Sequence, residues 1–460
     1  ADAGGGHVAA EAALKRVALL AVLAGVIWWL WPDAPLPVTT ENRTLKVSAP
    51  PPVMQIAPPL EPEELAAPAP KALPAGKDPG GFCAGPAGPS GYERPSSGQV
   101  VIALLEEELR QHPDAAALQL AVEAMRAANE PASVETALRA SGRAAGLVSP
   151  HAVLGLLARR HARPFLAAQG LGHTLEKRPD LALLNREYAE ALAQSNRVDE
   201  ALVSIRAYLA LEPNDWEAAR RGRLMEVQRD VEAGFVSVAS EDFPIRYDPE
   251  VPQATVEALL QTLRTGAPRA ERLLGPLKDP VAVALYNERA DLLASTCAQG
   301  WAHAVFDGRL RFQNEKGGAL GRPEVLKRMV VHELTHVVHR RAGARSDGWL
   351  MEGLARYIAQ EEDRGYQKSV QLLAQNGGYI PFSSMLPPMM GLEGHDDSAL
   401  AYDQSLMMVH WVVERSGEEG LERLLHTSEK DGVAALAQAL GLTPDELGPA
   451  FLAYVRSQVR

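Results

Sequence analysis

His332 and His336 stand four residues apart with Glu333 beside the first of them, and that spacing constrains the fold more than any other feature of the chain. Two imidazoles at i and i+4 can share one metal ion on a helix, where both leave the same face. Glu333, one position on, then points toward water held by the metal. The flanking residues predict that helix. Pro323 suits a first turn, Leu326, Met329, Val330, Val337 and Val338 supply apolar positions, and Gly343 follows a basic last turn of Arg340 and Arg341. His339 lies near the same face, but seven residues of helix rise roughly 10 Å, too far for three side chains of one straight helix to meet on an ion. It is read as a residue outside the ligand set, either behind the ligands or in solvent.

A second segment, Trp349-Leu350-Met351-Glu352-Gly353-Leu354-Ala355, comes shortly after. The two segments together resemble the gluzincin metallopeptidases, and within them the bacterial peptidase MA-like family, to which Ala401-Tyr402-Asp403-Gln404-Ser405 adds a further likeness. The resemblance covers residues 240–460. It implies a thermolysin-like α+β domain that hydrolyses peptide bonds with Zn2+, the metal ligands being His332, His336 and Glu352. Gly353 and Ala355 are expected to let the Glu352 helix approach the histidine helix closely. Two nitrogens and a carboxylate leave a fourth position open, as in catalytic rather than structural zinc sites. Glu333 is then the general base, taking a proton from the zinc-activated water and passing it to the leaving amine.

Gluzincins commonly add a Tyr or His from beyond the third ligand to stabilise the oxyanion. Tyr402 is the first choice for that role, ahead of His410 and Tyr357, although a tyrosine packed in the core would look the same. Relatives often carry an acid four positions after the ligand glutamate, where it can orient a zinc histidine. This chain has Arg356 there, which leaves the partner of the histidines unassigned.

Upstream of the histidine helix the pattern is that of a small mixed sheet. Phe243, Ile245 and Tyr247 alternate with polar residues, residues 280–286 form a short β-rich run, and residues 302–312 read as a hairpin around Asp307-Gly308. In gluzincin-like folds an edge strand binds extended substrate by strand addition, and residues 305–312 are the expected strand, an ordinary covered edge being the alternative. His303 beside it is read as structural or solvated.

Residues 99–235 are rich in Ala and Leu at helical spacing and contain a repeat. His112-Pro113-Asp114, Arg178-Pro179-Asp180 and Pro213-Asn214-Asp215 recur, and Pro179 and Pro213 are 34 residues apart, the tetratricopeptide period. Tyr188, Ala189, Ala201, Tyr208 and Ala210 before Pro213 resemble the tetratricopeptide consensus. The fold expected overall is therefore multidomain, a tetratricopeptide-like α-solenoid followed by the α+β peptidase domain at 236–460. Such a solenoid commonly binds a peptide or partner protein, and it can equally serve only to position the second domain.

The amino-terminal part places the protein. Residues 17–31 carry no charge, follow Lys15 and Arg16, and end in Trp28, Trp29 and Trp31. They read as a single-pass transmembrane anchor with residues 1–16 in the cytoplasm, in preference to a cleaved signal. Residues 32–98, dense in Pro, Ala and Gly, form a linker that holds the folded part off the bilayer. The expectation is a bacterial inner-membrane protein with a periplasmic catalytic domain acting on a peptide or protein substrate. Nucleic acid is not an expected partner, since net charge is −12 and no basic patch stands out. Two cysteines, Cys83 and Cys297, cannot build a disulfide framework, though a pair would join linker to catalytic domain. A rival reading from another class keeps the repeats as the working part, a scaffold or assembly protein whose peptidase-like domain is latent or a binding module.

Overall fold

A computed structural model describes residues 97–298, 302–314, 322–344, 347–362, 364–385 and 395–459, with the side chains of 395–398 excepted, all within the compact unit Lys71–Arg460. The expected anchor, the linker and Cys83 lie outside the described residues. Among the described residues, no helix is long and apolar enough to cross a membrane. The described residues are mostly helical, with sixteen α-helices and one small mixed sheet.

Eight helices come first. They are α1 (Ser97–Gln111), α2 (Ala116–Arg126), α3 (Ala132–Gly142), α4 (Ser149–Arg160), α5 (Pro164–Lys177), α6 (Asn185–Gln194), α7 (Val198–Leu211) and α8 (Trp216–Glu232), with a 3-10 turn Pro179–Leu184 before α6. From α4 onward each packs on its successor, and all eight share one core that includes Leu118, Leu154, Leu171, Leu192 and Ile205. Small residues decide how near they come: a Cβ on Gly170 of α5 would stand 2.6 Å from the backbone nitrogen of Gly155 on α4. Pro113, Pro179 and Pro213 all fall at connections between helices, where a missing N–H costs no ladder bond. Asp215 caps α8, accepting from the Ala218 N–H at 3.0 Å, while the Tyr208 hydroxyl donates to its other oxygen at 2.8 Å. Of the consensus-like positions, Ala189, Ala201 and Tyr208 are buried, Tyr188 is half-buried and Ala210 is exposed.

The sheet comes next, from β1 (Val236–Val238), β2 (Ile245–Tyr247), β3 (Val283–Tyr286), β4 (Ala304–Phe306) and β5 (Leu310–Gln313), in the order β1-β2-β3-β5-β4. The inner pairs β2–β3 and β3–β5 are parallel, and β1 and β4 are antiparallel edges. The hairpin forms around Asp307-Gly308, with Gly308 at φ 111°. That left-handed turn folds residues 305–312 back on themselves, so the single strand expected there is two: β4 at the edge and β5 one place inside.

Strand alternation gives the two faces different neighbours. Val283, Leu285, Leu310 and Phe312 pack against α9 (Gln253–Glu271) and against α11 (Pro323–Arg341), the helix that carries the histidines. Ala284 and Tyr286 point the other way, toward Leu292 of α10 (Arg289–Thr296) and Val231 of α8. On that second face Arg309 and Arg311 reach the carboxylate of Glu232, the last residue of α8, and so does the Tyr286 hydroxyl at 2.7 Å. The eighth helix is thereby fixed to the sheet by buried charge.

The chain closes with α12 (Gly348–Ala359), α13 (Arg364–Asn376), a 3-10 turn Phe382–Met385, α14 (His395–Leu425, kinked at Gly417), α15 (Gly432–Leu440) and α16 (Pro444–Ser457). They share a core around Trp349, Leu350, Leu354, Met408, Trp411 and Phe451. Tyr402 sits inside α14, in its second turn. Cys297 is disulfide-bonded.

Candidate metal centre

Helix α11 begins at Pro323 and ends at Arg341, the bounds its proline and basic last turn imply, with Gly343 beyond it at φ 60°. It sends the rings of His332 and His336 from one face, their centroids 4.8 Å apart. Helix α12 brings Glu352 to them. One oxygen, Oε2, lies 3.4 Å from Nε2 of His332 and 3.5 Å from Nε2 of His336. These ligand atoms all lie within 4.8 Å of one another and form a group that could hold a metal ion.

Glu333 is buried beside them. Burial raises its carboxyl above the ordinary 4.5, against the pull of His336 and His332. For Glu352 burial works the same way but loses: His336 and His332 hold this carboxyl far below the usual range. Burial also opposes charge on His332, and the carboxylates of Glu361 and Glu352 outweigh it, lifting the imidazole well above 6.5.

Glu361 is a site residue that the sequence did not reveal. Its Oε1 lies 3.1 Å from Nδ1 of His332, on the side of the ring turned away from Glu352. Arg356, read as a departure from the family pattern, holds this carboxylate in place through an Nε bond of 3.1 Å to Oε2. The same guanidinium donates to Asp403 at 2.6 Å, and Ser369 donates to the other Asp403 oxygen at 2.5 Å. The only sequence trace of this arrangement is the acidic pair Glu361-Glu362 just past a helix end, opposite a buried arginine.

Tyr402 is half-buried on α14 and near enough to the centre to be affected by it. Burial, then the charges of Glu352 and Glu333, push its hydroxyl well above the ordinary 10. The weaker candidates are committed elsewhere. Tyr357 donates to Glu418 at 3.1 Å, and His410 faces Glu362 at 3.1 Å and the Tyr357 ring. His339 is buried rather than solvated and is not in the ligand group, while His303 meets Gln313 at 3.2 Å inside the hairpin.

The close approach expected from Gly353 exists, but toward a different helix. A Cβ there would stand under 3.0 Å from the carbonyl of Ser405 and 2.8 Å from a methyl of Val409, both on α14. Glu352 and Gly353 are adjacent, so on a helix they point about 100° apart, and α12 meets α11 with the first and α14 with the second. Comparison with known proteins gives no matching family and no matching curated relative.

Proposed function

We propose that this chain is a zinc metallopeptidase of gluzincin type, residues 99–235 a tetratricopeptide-like solenoid and residues 236–460 a thermolysin-like α+β domain. The observation that carries the reading is the convergence of His332 Nε2, His336 Nε2 and Glu352 Oε2 from two helices. Tetrahedral zinc with bonds of about 2.0–2.1 Å needs donors about 3.3 Å apart, and the two histidine–glutamate gaps are 3.4 and 3.5 Å. The donor set of two imidazoles and one carboxylate also suits catalytic zinc, and Glu361 on His332 Nδ1 supports it by presenting Nε2 as the acceptor.

Zinc bound there would polarise a substrate carbonyl and acidify water. The protein's own groups do the rest. Glu333, whose carboxyl is raised by burial, accepts the water proton at its carboxylate and returns it to the leaving amine. The hydroxyl of Tyr402, kept protonated by its surroundings, donates to the oxygen that gains charge. Residues 17–31 support a single-pass anchor with this domain on the periplasmic side, and β4, an antiparallel edge strand, supports the binding of extended peptide by strand addition.

Metal analysis tests the reading. The purified protein should hold about one zinc per chain, and His332→Ala should hold none. Glu333→Gln should keep the metal and lose peptide hydrolysis. A folded, metal-free wild-type protein would end the proposal.

A further inference from the structure

We infer that Arg356 is a positioning residue of the metal centre, acting on His332 through Glu361; the inference rests on the zinc-peptidase reading above. Arg356 lies one turn beyond Glu352 on α12, and it is 8% exposed. Helix α12 ends in Gln360, a non-glycine residue at φ 58°, and this left-handed cap turns the chain back on itself. Glu361 therefore folds onto the helix it has just left. Its backbone N–H donates to the Arg356 carbonyl at 3.1 Å, its backbone carbonyl accepts from Arg356 Nη2 at 3.3 Å, and its carboxylate accepts from Arg356 Nε at 3.1 Å. One residue thus closes the turn from three sides.

The Glu361 carboxylate is left bridging two groups, with Oε1 toward His332 and Oε2 toward Arg356. The guanidinium fork holds Glu361 at two points, Nε on Oε2 and Nη2 on the backbone carbonyl, and so limits how Oε1 can approach Nδ1. That bond selects the tautomer with the proton on Nδ1 and the lone pair on Nε2, the atom facing Glu352. The remaining guanidinium nitrogen binds Asp403, next to Tyr402, so the same side chain ties α12 to α14. With three carbonyl or carboxylate partners engaged, Arg356 is not placed to bind the terminus of a substrate. It holds the position where an acid would orient the histidine directly, and supplies that acid from the next turn of chain instead.

The test is zinc affinity, measured by competition with a chromogenic chelator, together with the visible spectrum of the cobalt-substituted protein. Glu361→Gln and Arg356→Met should each weaken zinc binding about 10- to 100-fold and alter the cobalt spectrum alike. The double variant should bind no more weakly than the weaker single one, because the two residues act in series. Arg356→Lys should recover part of the loss, and it carries the test if Arg356→Met fails to fold in chelator. Wild-type affinity in Arg356→Met, or losses that multiply in the double variant, would overturn the inference while leaving the peptidase reading intact. A wild-type protein that binds no zinc would remove both.

Discussion

Gly353 of α12 stands so close to the Ser405 carbonyl of α14 that no side chain fits between them. Leu354, Ala401 and Val409 are fully buried at this seam and the Arg356–Asp403 pair crosses it, so the helices cannot part without opening the core. Gly353→Ala must push α12 away from α14, and Glu352 moves with it. The expected outcome is a stability loss of about 1–3 kcal/mol and weaker zinc binding. Chemical denaturation and chelator competition on the same protein check it; unchanged affinity would mean that Glu352 is not the ligand this seam positions.

Tyr402→Phe removes a hydroxyl and leaves the ring that packs in the core. If the hydroxyl donates to the developing oxyanion, kcat should fall about 100- to 1000-fold with KM little changed. The melting temperature should stay near that of wild type. A variant that keeps full activity would return Tyr402 to an ordinary packing role.

Glu232 offers a stability prediction independent of any metal. It is fully buried, facing Arg309, Arg311, Arg246 and the Tyr286 hydroxyl. Burial alone would raise its carboxyl, but Arg309 and Arg311 outweigh that and hold it below the ordinary 4.5. A carboxyl lowered on folding stabilises the protein above its unfolded pKa, so this contribution is complete above about pH 4.5 and declines as pH falls through the folded value. Glu232→Gln leaves the buried Arg309 without its carboxylate partner, Arg311 keeping Asp307, and should cost about 3–5 kcal/mol at neutral pH. The difference from wild type should shrink below pH 4.5 in urea titrations; a constant difference would contradict the charge argument.

The orientation of the chain can be read from cysteine chemistry. In the orientation proposed above, with Lys15 and Arg16 on the cytoplasmic side of residues 17–31, the disulfide-bonded Cys297 lies in the oxidising compartment. Protein trapped with an alkylating agent from intact cells should leave Cys297 unlabelled and shift in mobility on reduction. Protease added to spheroplasts should digest residues 97–460. Labelled Cys297 and protection until the inner membrane is opened would show the reverse orientation.

The histidine helix was legible because its evidence is local: a proline at its start, a basic last turn and two imidazoles one turn apart. Glu352 was legible through the Trp349–Ala355 segment, and the hairpin through Asp307-Gly308. Glu361 was not, because its place depends on a left-handed turn at Gln360, where no glycine marks the reversal. Arg356 misled for a related reason. Spacing along the helix identifies what replaces an acid, but not that a residue further along folds back to do the acid's work. Gly353 showed a close approach without saying which neighbour it admits, since that depends on how three helices share one space.

Residues 235 and 236 look like a border between two modules, with repeats before and strands after. The charges disagree. Glu232 lies on the repeat side, and Arg309, Arg311 and Arg246 lie on the other. The hairpin tip is held the same way, the Asp307 carbonyl accepting from Gln194 and Arg309 donating to Asn196 at 2.6 Å. A fragment cut at Val236 would bury Arg309 without the Glu232 carboxylate it pairs with, while Arg311 would keep Asp307. The first eight helices therefore complete the charge and hydrogen-bond balance of the sheet, and residues 236–460 expressed alone are a different folding problem from the whole chain.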